Sequence, residues 1–163
     1  MLNQWSLRLD FLLPILFGSL IIFLTPRESP LFADGESYIL MAENLSLAKD
    51  TVSNHFLQRL LPTFIVSIFS DVFSVPIPRS FSHVSSIMFL ILTTYLYTFL
   101  KRELKDLVVS FSFTVILLTA FWPITYNLLN VYQLCDLMTY LFVLGMLISY
   151  MDRKFYLFLF LPF

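Results

Sequence analysis

Residues 34–44 read Asp-Gly-Glu-Ser-Tyr-Ile-Leu-Met-Ala-Glu-Asn, and they follow the first apolar run of the chain. The stretch carries three carboxylates in a chain with few charges: Asp34, Glu36 and Glu43. Its apolar side chains recur at i, i+3, i+4 and i+7, which predicts a helix: Tyr38, Met41, Ala42 and Leu45. Asp34 therefore precedes a helix N-terminus. It is either an N-cap that accepts bonds from the free N–H groups or a catalytic or metal-binding carboxylate.

The composition indicates an integral membrane protein. Of the 163 residues, 58% are hydrophobic and 13% are charged, whereas soluble chains average roughly 25% charged residues. Mean hydropathy is +0.82. A net charge of −1 does not favour a nucleic-acid partner. Cys135 is the only cysteine, so the chain forms no internal disulfide, and a thiol with apolar neighbours is typical of packing.

Four apolar runs are predicted to cross the bilayer, which needs ~20 residues per span. They are residues 11–24, 83–100, 107–125 and 137–151. Charged turns follow the second and fourth runs, at residues 101–106 and 152–154. The last stretch, 155–163, is apolar but too short to cross ~30 Å. We therefore expect an all-α polytopic protein with four complete transmembrane helices and a truncated fifth, in one incomplete domain over residues 1–163.

The segment 54–74 permits two interpretations. Its polar side chains recur every three or four residues and form one stripe along a helix: Arg59, Thr63, Ser67, Ser70 and Ser74. Such a helix lies in the membrane interface with its apolar face in lipid, or it spans and turns the stripe onto a neighbouring helix or a wet cavity.

The distribution of basic residues favours the interfacial interpretation. With segment 54–74 at the surface, Arg8 and the two charged turns fall on one side, which is the cytoplasmic side by the positive-inside rule. The N-terminus is then cytoplasmic. Residues 26–82 form an outer loop with surface helices, and Asp34 and Asp136 share the outer face.

This arrangement resembles the N-terminal part of GT-C type glycosyltransferases, the membrane enzymes that use polyprenyl-phosphate-linked sugars. Protein O-mannosyltransferases and lipid A aminoarabinose transferases belong to this superfamily. The resemblance covers most of the chain. It rests on the order of an acidic residue after the first span, an amphipathic segment with Leu60-Leu61-Pro62, a span that closes on Lys101-Arg102, and Asp136 before the fourth span.

The resemblance implies a role for each candidate residue. Asp34 would be the general base that engages the acceptor, with Asp136 supporting the site from the second outer loop. Glu36 could join Asp34 as ligand to a divalent metal, Mg or Mn, and Arg59 could bind a phosphate. His55 is a weaker substrate-binding candidate. Arg59 as a snorkelling interfacial residue, and His55 as a solvated one, are the competing interpretations.

The sequence departs from this family in three respects. Gly35 separates the two carboxylates at the first motif, Leu134-Cys135 precedes Asp136 where relatives often have Arg-Pro, and the chain has fewer spans. We therefore expect this chain alone to be inactive, with its other half missing or supplied as a separate chain. The alternatives are a non-catalytic assembly partner or remnant and, with less support, a small transporter subunit.

Overall fold

The computed structural model describes residues 2–25, 35–44, 60–120 and 134–152. Every regular element within these ranges is a helix, as predicted. We number the six helices in chain order: α1 Leu2–Leu24, α2 Gly35–Glu43, α3 Leu60–Phe73, α4 Ile77–Leu104, α5 Leu107–Ala120 and α6 Leu134–Met151.

Helix α4 is the centre of the bundle. It contacts each of the other five described helices, and at 28 residues it is the longest of them. At ~1.5 Å per residue it is about 42 Å long. Its buried residues mix aromatic and aliphatic side chains with small hydroxyl side chains: Ser80, Phe81, Val84, Ser85, Phe89, Leu92, Thr93 and Tyr97.

The start of α4 corrects one prediction. The two prolines of 75–80 predict a linker through that range, yet the helix begins at Ile77, with Pro76 as its N-cap residue and Pro78 in its first turn. Proline is tolerated there because the first-turn N–H groups have no partner inside the helix. The connection from α3 is therefore short.

The charged turn after α4 is also tight. Lys105 adopts a left-handed conformation, with φ 56°, and its N–H donates to the Lys101 carbonyl at 3.0 Å. Asp106 then caps α5, since its Oδ1 accepts the Val109 N–H at 2.8 Å. Helices α4 and α5 consequently pack side by side.

Helices α4 and α6 run in the same direction. The Nη1 atom of Arg102, in the last turn of α4, lies 2.8 Å from Oδ1 of Asp152, the residue that follows α6. The C-terminal ends of both helices are therefore adjacent. Residue 152 therefore lies at the same end of the bundle as the charged end of α4; residues 153–154 lie outside the described residues, and the predicted membrane side of both turns stays a prediction.

Helix α1 approaches α4 closely at Gly18. A Cβ atom on Gly18 would lie 2.9 Å from Cδ2 of Leu90 and 3.4 Å from Oγ1 of Thr93. Nearby, the Phe111 ring of α5 packs edge-on against Phe17 of α1, with centroids 5.6 Å apart. The absence of a side chain at Gly18 therefore brings α1 against the same region of α4 that α5 covers.

The orientation of α3 differs from the expected one. A surface helix would place Thr63 on its wet face, but Thr63 is 2% exposed and Val66 fully buried, whereas Phe64 is 62% exposed. The hydroxyl of Thr63 donates to its own helix, to the Leu60 carbonyl at 2.8 Å, so its burial leaves no unsatisfied donor. Thr63 faces the neighbouring helices, as in the second of the two interpretations, and its predicted placement at headgroup level is wrong. Ser67 and Ser70 are half-buried, Ser74 is exposed, and Arg59 lies outside the described residues.

One described helix, Ile77–Leu104, is by itself long and apolar enough to cross a membrane. Four shorter apolar helices accompany it: Leu12–Leu24, Leu60–Phe73, Leu107–Thr119 and Asp136–Met151. The outward surface of these helices is apolar, with Phe23, Val108 and Val143 more than half exposed.

Replacing Gly18 by leucine should disturb the contact between α1 and α4. A leucine side chain has no room against Leu90 and Thr93, and overpacking of this kind costs about 1–3 kcal/mol. Gly145→Leu is the matched control, because no atom lies within 4 Å of a Cβ placed there. Thermal unfolding in detergent should separate the two variants, and equal loss of stability would contradict the close approach.

Helix α3 offers a second matched pair. Val66 is 0% exposed and Val72 is 68% exposed, so Val66→Ala should lower the free energy of unfolding by about 1–2 kcal/mol and Val72→Ala by much less. Guanidinium or SDS unfolding monitored by tryptophan fluorescence measures both. A larger loss at position 72 would mean that the buried face of α3 is assigned incorrectly.

Candidate functional site: the acidic helix and the α2–α3 cavity

Helix α2 confirms the helix predicted after Asp34. Tyr38, Met41 and Ala42, three of the four residues in the apolar stripe, are buried, and the helix packs against α3 and α4. Leu45, the fourth, lies outside the described residues. The stripe therefore fixes this short helix to the bundle. Glu36 lies near the start of the helix and Glu43 at its end.

The predicted site residues at the first motif are only partly described. Glu36 lies in the first turn of α2 with an exposed side chain. A carboxylate there interacts favourably with the N-terminal end of the helix dipole. Asp34, His55 and Arg59 lie outside the described residues, so their proposed roles remain predictions.

Asp136 occupies a different position from the expected one. The sequence placed it in a polar loop before the fourth span, but α6 begins at Leu134, and Asp136 is half-buried in the first turn of that helix. The sequence pattern hid this start, because Asp136 interrupts the apolar residues between Cys135 and Leu137. Asp136 is thus a helical residue near the core.

The N-terminal parts of α2 and α6 share one hydrophobic cluster. Tyr38 of α2 and Leu137 and Met138 of α6 belong to it. Val66 of α3 and Phe81 of α4 complete the contact between these elements. The fold therefore joins the helices that carry Glu36 and Asp136 through a common core.

A cavity of about 470 Å³ lies between the end of α2 and the start of α3. Apolar side chains form most of its wall, with three polar residues among them. The lining consists of Met41, Ala42, Glu43, Leu60, Leu61, Thr63, Phe64 and Ser67. This volume falls in the range of small-molecule sites, roughly 300–1,000 Å³.

The cavity was not predicted from the sequence, although two signals bear on it. Thr63 and Ser67 are one turn apart on α3, and Met41 and Ala42 end the apolar stripe of α2. Small side chains at facing positions leave space between two helices. Tertiary packing decides which helix faces meet, and the spacing of residues along one helix does not predict it.

The described residues hold no group of three His, Cys, Asp or Glu side chains suited to a metal ion. Of the two predicted metal ligands, the described part of the chain contains Glu36 alone. A hard divalent cation takes at least six oxygen ligands, some of them water, so Glu36 fits as one ligand among several.

Comparison with protein-family models, with curated proteins and with solved structures found no match to this chain in any of the three.

Proposed function

We propose that the chain is the membrane-embedded N-terminal portion of a glycosyltransferase of the GT-C type. It would transfer a sugar from a polyprenyl-phosphate donor to an acceptor on the outer face of the membrane. The observation that carries the proposal is the folded state of the first motif. The helix after Asp34 is anchored in the bundle by Tyr38, Met41 and Ala42, as an active-site carboxylate next to it would require.

Membrane insertion is part of this proposal. It is supported by the mean hydropathy of +0.82 and by the apolar outward surfaces of the described helices. Helix α4 has the length of a complete span, and the shorter helices pack around it. The charged ends of α4 and α6 would lie in the cytoplasm, and the start of α2 on the outer side.

The proposed chemistry is a single displacement at the sugar. An acceptor nucleophile bonds to the anomeric carbon, the bond to the phosphate oxygen breaks, and polyprenyl phosphate leaves with the bonding electron pair. Asp34 takes the proton of the acceptor as general base. Asp136 holds the acceptor from α6, Arg59 binds the phosphate as a two-pronged donor, and His55 contacts the substrate.

A divalent ion, Mg or Mn, would be held by Asp34 and Glu36. When bound, it would supply positive charge beside the reacting groups. Glu36 lies in the first turn of α2, where the free N–H groups also favour negative charge, and Asp34 precedes this helix in the sequence.

Thiol labelling tests the proposed topology. In a Cys135→Ser background, a cysteine at Ser37 should react with an impermeant reagent applied to intact cells, and one at Glu103 should not. Glu103 is exposed beside Arg102 at the charged end of α4, so protein burial does not protect it. Labelling of position 103 from outside would exclude the proposed orientation, and permeabilised cells serve as the control for reactivity.

The substitution Asp34→Asn tests the proposed catalytic role. Asn caps a helix about as well as Asp, so folding should be preserved, whereas loss of the general base should lower transfer by about 10²-fold or more. The assay follows sugar transfer from polyprenyl-phosphate-linked hexoses and pentoses in membranes that contain the full-length gene product.

The control for this experiment is Asp71→Asn. It removes an exposed carboxylate from α3 without touching the proposed site. Full activity of the Asp34→Asn protein would remove the catalytic assignment, and equal loss in both variants would point to a structural cause.

A further inference from the structure

The cavity between α2 and α3 lies beside the middle of α4. Helices α3 and α4 are joined by a short turn and pack against each other, and the rings of Phe69 and His83 lie 6.1 Å apart. Since the two helices run in opposite directions, Ser67 is about level with residue 85 of α4, and Thr63 with residue 89. Ser67 and Thr63 both line the cavity.

This part of α4 has no charged residue. Arg79 and His83 lie near its start and Lys101 near its end, and the stretch 84–100 between them contains no charged side chain. At ~1.5 Å per residue that stretch is about 25 Å long, close to the ~30 Å of a bilayer hydrocarbon core. With α4 in the membrane, the cavity lies at the depth of the lipid tails.

Glu43 brings a carboxylate to this cavity. It is the only charged residue of the described lining, and no described residue forms an ion pair or hydrogen bond with it. A carboxylate at membrane depth is costly unless it faces water or a positive partner, and such residues mark ligand or ion sites. The Glu43 side chain is exposed, and the described helices supply no positive partner for it.

The remaining lining suits an amphiphile. Met41, Leu61 and Phe64 offer an apolar wall. The hydroxyl of Thr63 already donates to the Leu60 carbonyl, whereas the Ser67 hydroxyl is not engaged by any described residue and can accept a hydrogen bond. The polar groups are few, with Glu43 on α2 and Thr63 and Ser67 on α3, as in other sites that orient a ligand.

We propose that the α2–α3 cavity binds a single-chain amphiphile with a protonated amine head group. The ammonium pairs with the Glu43 carboxylate and donates to the Ser67 hydroxyl, and the alkyl chain packs against Leu61 and Phe64. A phosphate head group is disfavoured because Glu43 repels it. The inference rests on the membrane insertion proposed above and does not depend on transferase activity.

The test uses a dodecylamine that carries a photoreactive diazirine, with the chain reconstituted in phosphatidylcholine nanodiscs. Crosslinking followed by peptide mapping should place the label on peptides of α2 and α3. Unlabelled dodecylamine should compete, and dodecanol of equal length should compete about tenfold less well, as expected for loss of one charged hydrogen bond. Equal competition by dodecanol would show hydrophobic partitioning only and would overturn the proposal.

Matched variants sharpen the assignment. Glu43→Gln preserves shape and should reduce labelling about tenfold, whereas Asp71→Asn, which changes an exposed carboxylate one turn beyond Ser67 and outside the cavity lining, should leave it unchanged. Ser67→Ala should give a smaller loss. Undiminished labelling of the Glu43→Gln protein would refute the role of the carboxylate.

A final variant tests whether Glu43 pairs with a residue of the chain instead of a bound amine. Arg59 precedes Leu60 in the sequence and could neutralise the carboxylate from within the chain. If the proposal holds, Arg59→Gln leaves dodecylamine labelling unchanged or raises it. If Arg59→Gln and Glu43→Gln destabilise the protein equally, and the double variant no more than either, the carboxylate belongs to an internal ion pair and the amine site is excluded.

Discussion

The close packing of five helices around α4 is the constraint on which the rest of the described structure depends. In a bilayer, lipid tails are as apolar as leucine, so helices associate through close packing and hydrogen bonds rather than through the hydrophobic effect. Small side chains on α4 permit this approach, since Ser80, Ser85 and Thr93 are fully buried. Gly18 of α1 likewise permits a close approach, because it has no side chain.

Buried hydroxyl groups in this seam are mostly satisfied by their own helices. Thr93 donates to the Phe89 carbonyl at 2.8 Å, and Thr114 of α5 donates to the Ser110 carbonyl at 2.8 Å. Such bonds need no partner from another helix, so the contacts can be close without a network of matched polar groups. Ser85 differs, because its Oγ atom is buried and has no hydrogen-bond partner within the part of the chain that the structure describes.

The same principle explains the orientation of α3. Thr63 bonds to the Leu60 carbonyl and Ser70 to the Val75 carbonyl at 2.6 Å, so the hydroxyl stripe can face the bundle without leaving donors unsatisfied. The bulky apolar side chains, including Phe64 and Phe73, then face outward. Apolar side chains on the outer surface are favourable in lipid and unfavourable in water. The apolar exterior of α3 supports the membrane insertion that we propose.

The sequence predicted the helices better than it predicted their faces. Helical spacing identified α2 and its buried stripe, and the charged residues located the ends of α4 and α6 to within a few positions, because both patterns are local. The predicted turn at 101–106 is wrong for residues 101–104, which continue α4. The orientation of α3 and the cavity beside it depend on which helix is adjacent, and hydropathy is the same for a stripe that faces water and one that faces a neighbour. Asp136 was misplaced because a helix start within a polar stretch carries little hydropathy signal.

The central claim, that α4 and α6 run in the same direction with their C-terminal ends together, can be tested by crosslinking. Cysteines at positions 102 and 152, in a Cys135→Ser background, replace the pair whose charged atoms lie 2.8 Å apart. A short bifunctional maleimide should join them efficiently, and a cysteine pair at positions 79 and 152 should remain unlinked, because residue 79 lies in the first turn of α4 and residue 152 beside the last turn of that helix. Efficient crosslinking of 79 to 152 with none between 102 and 152 would contradict this arrangement of the bundle.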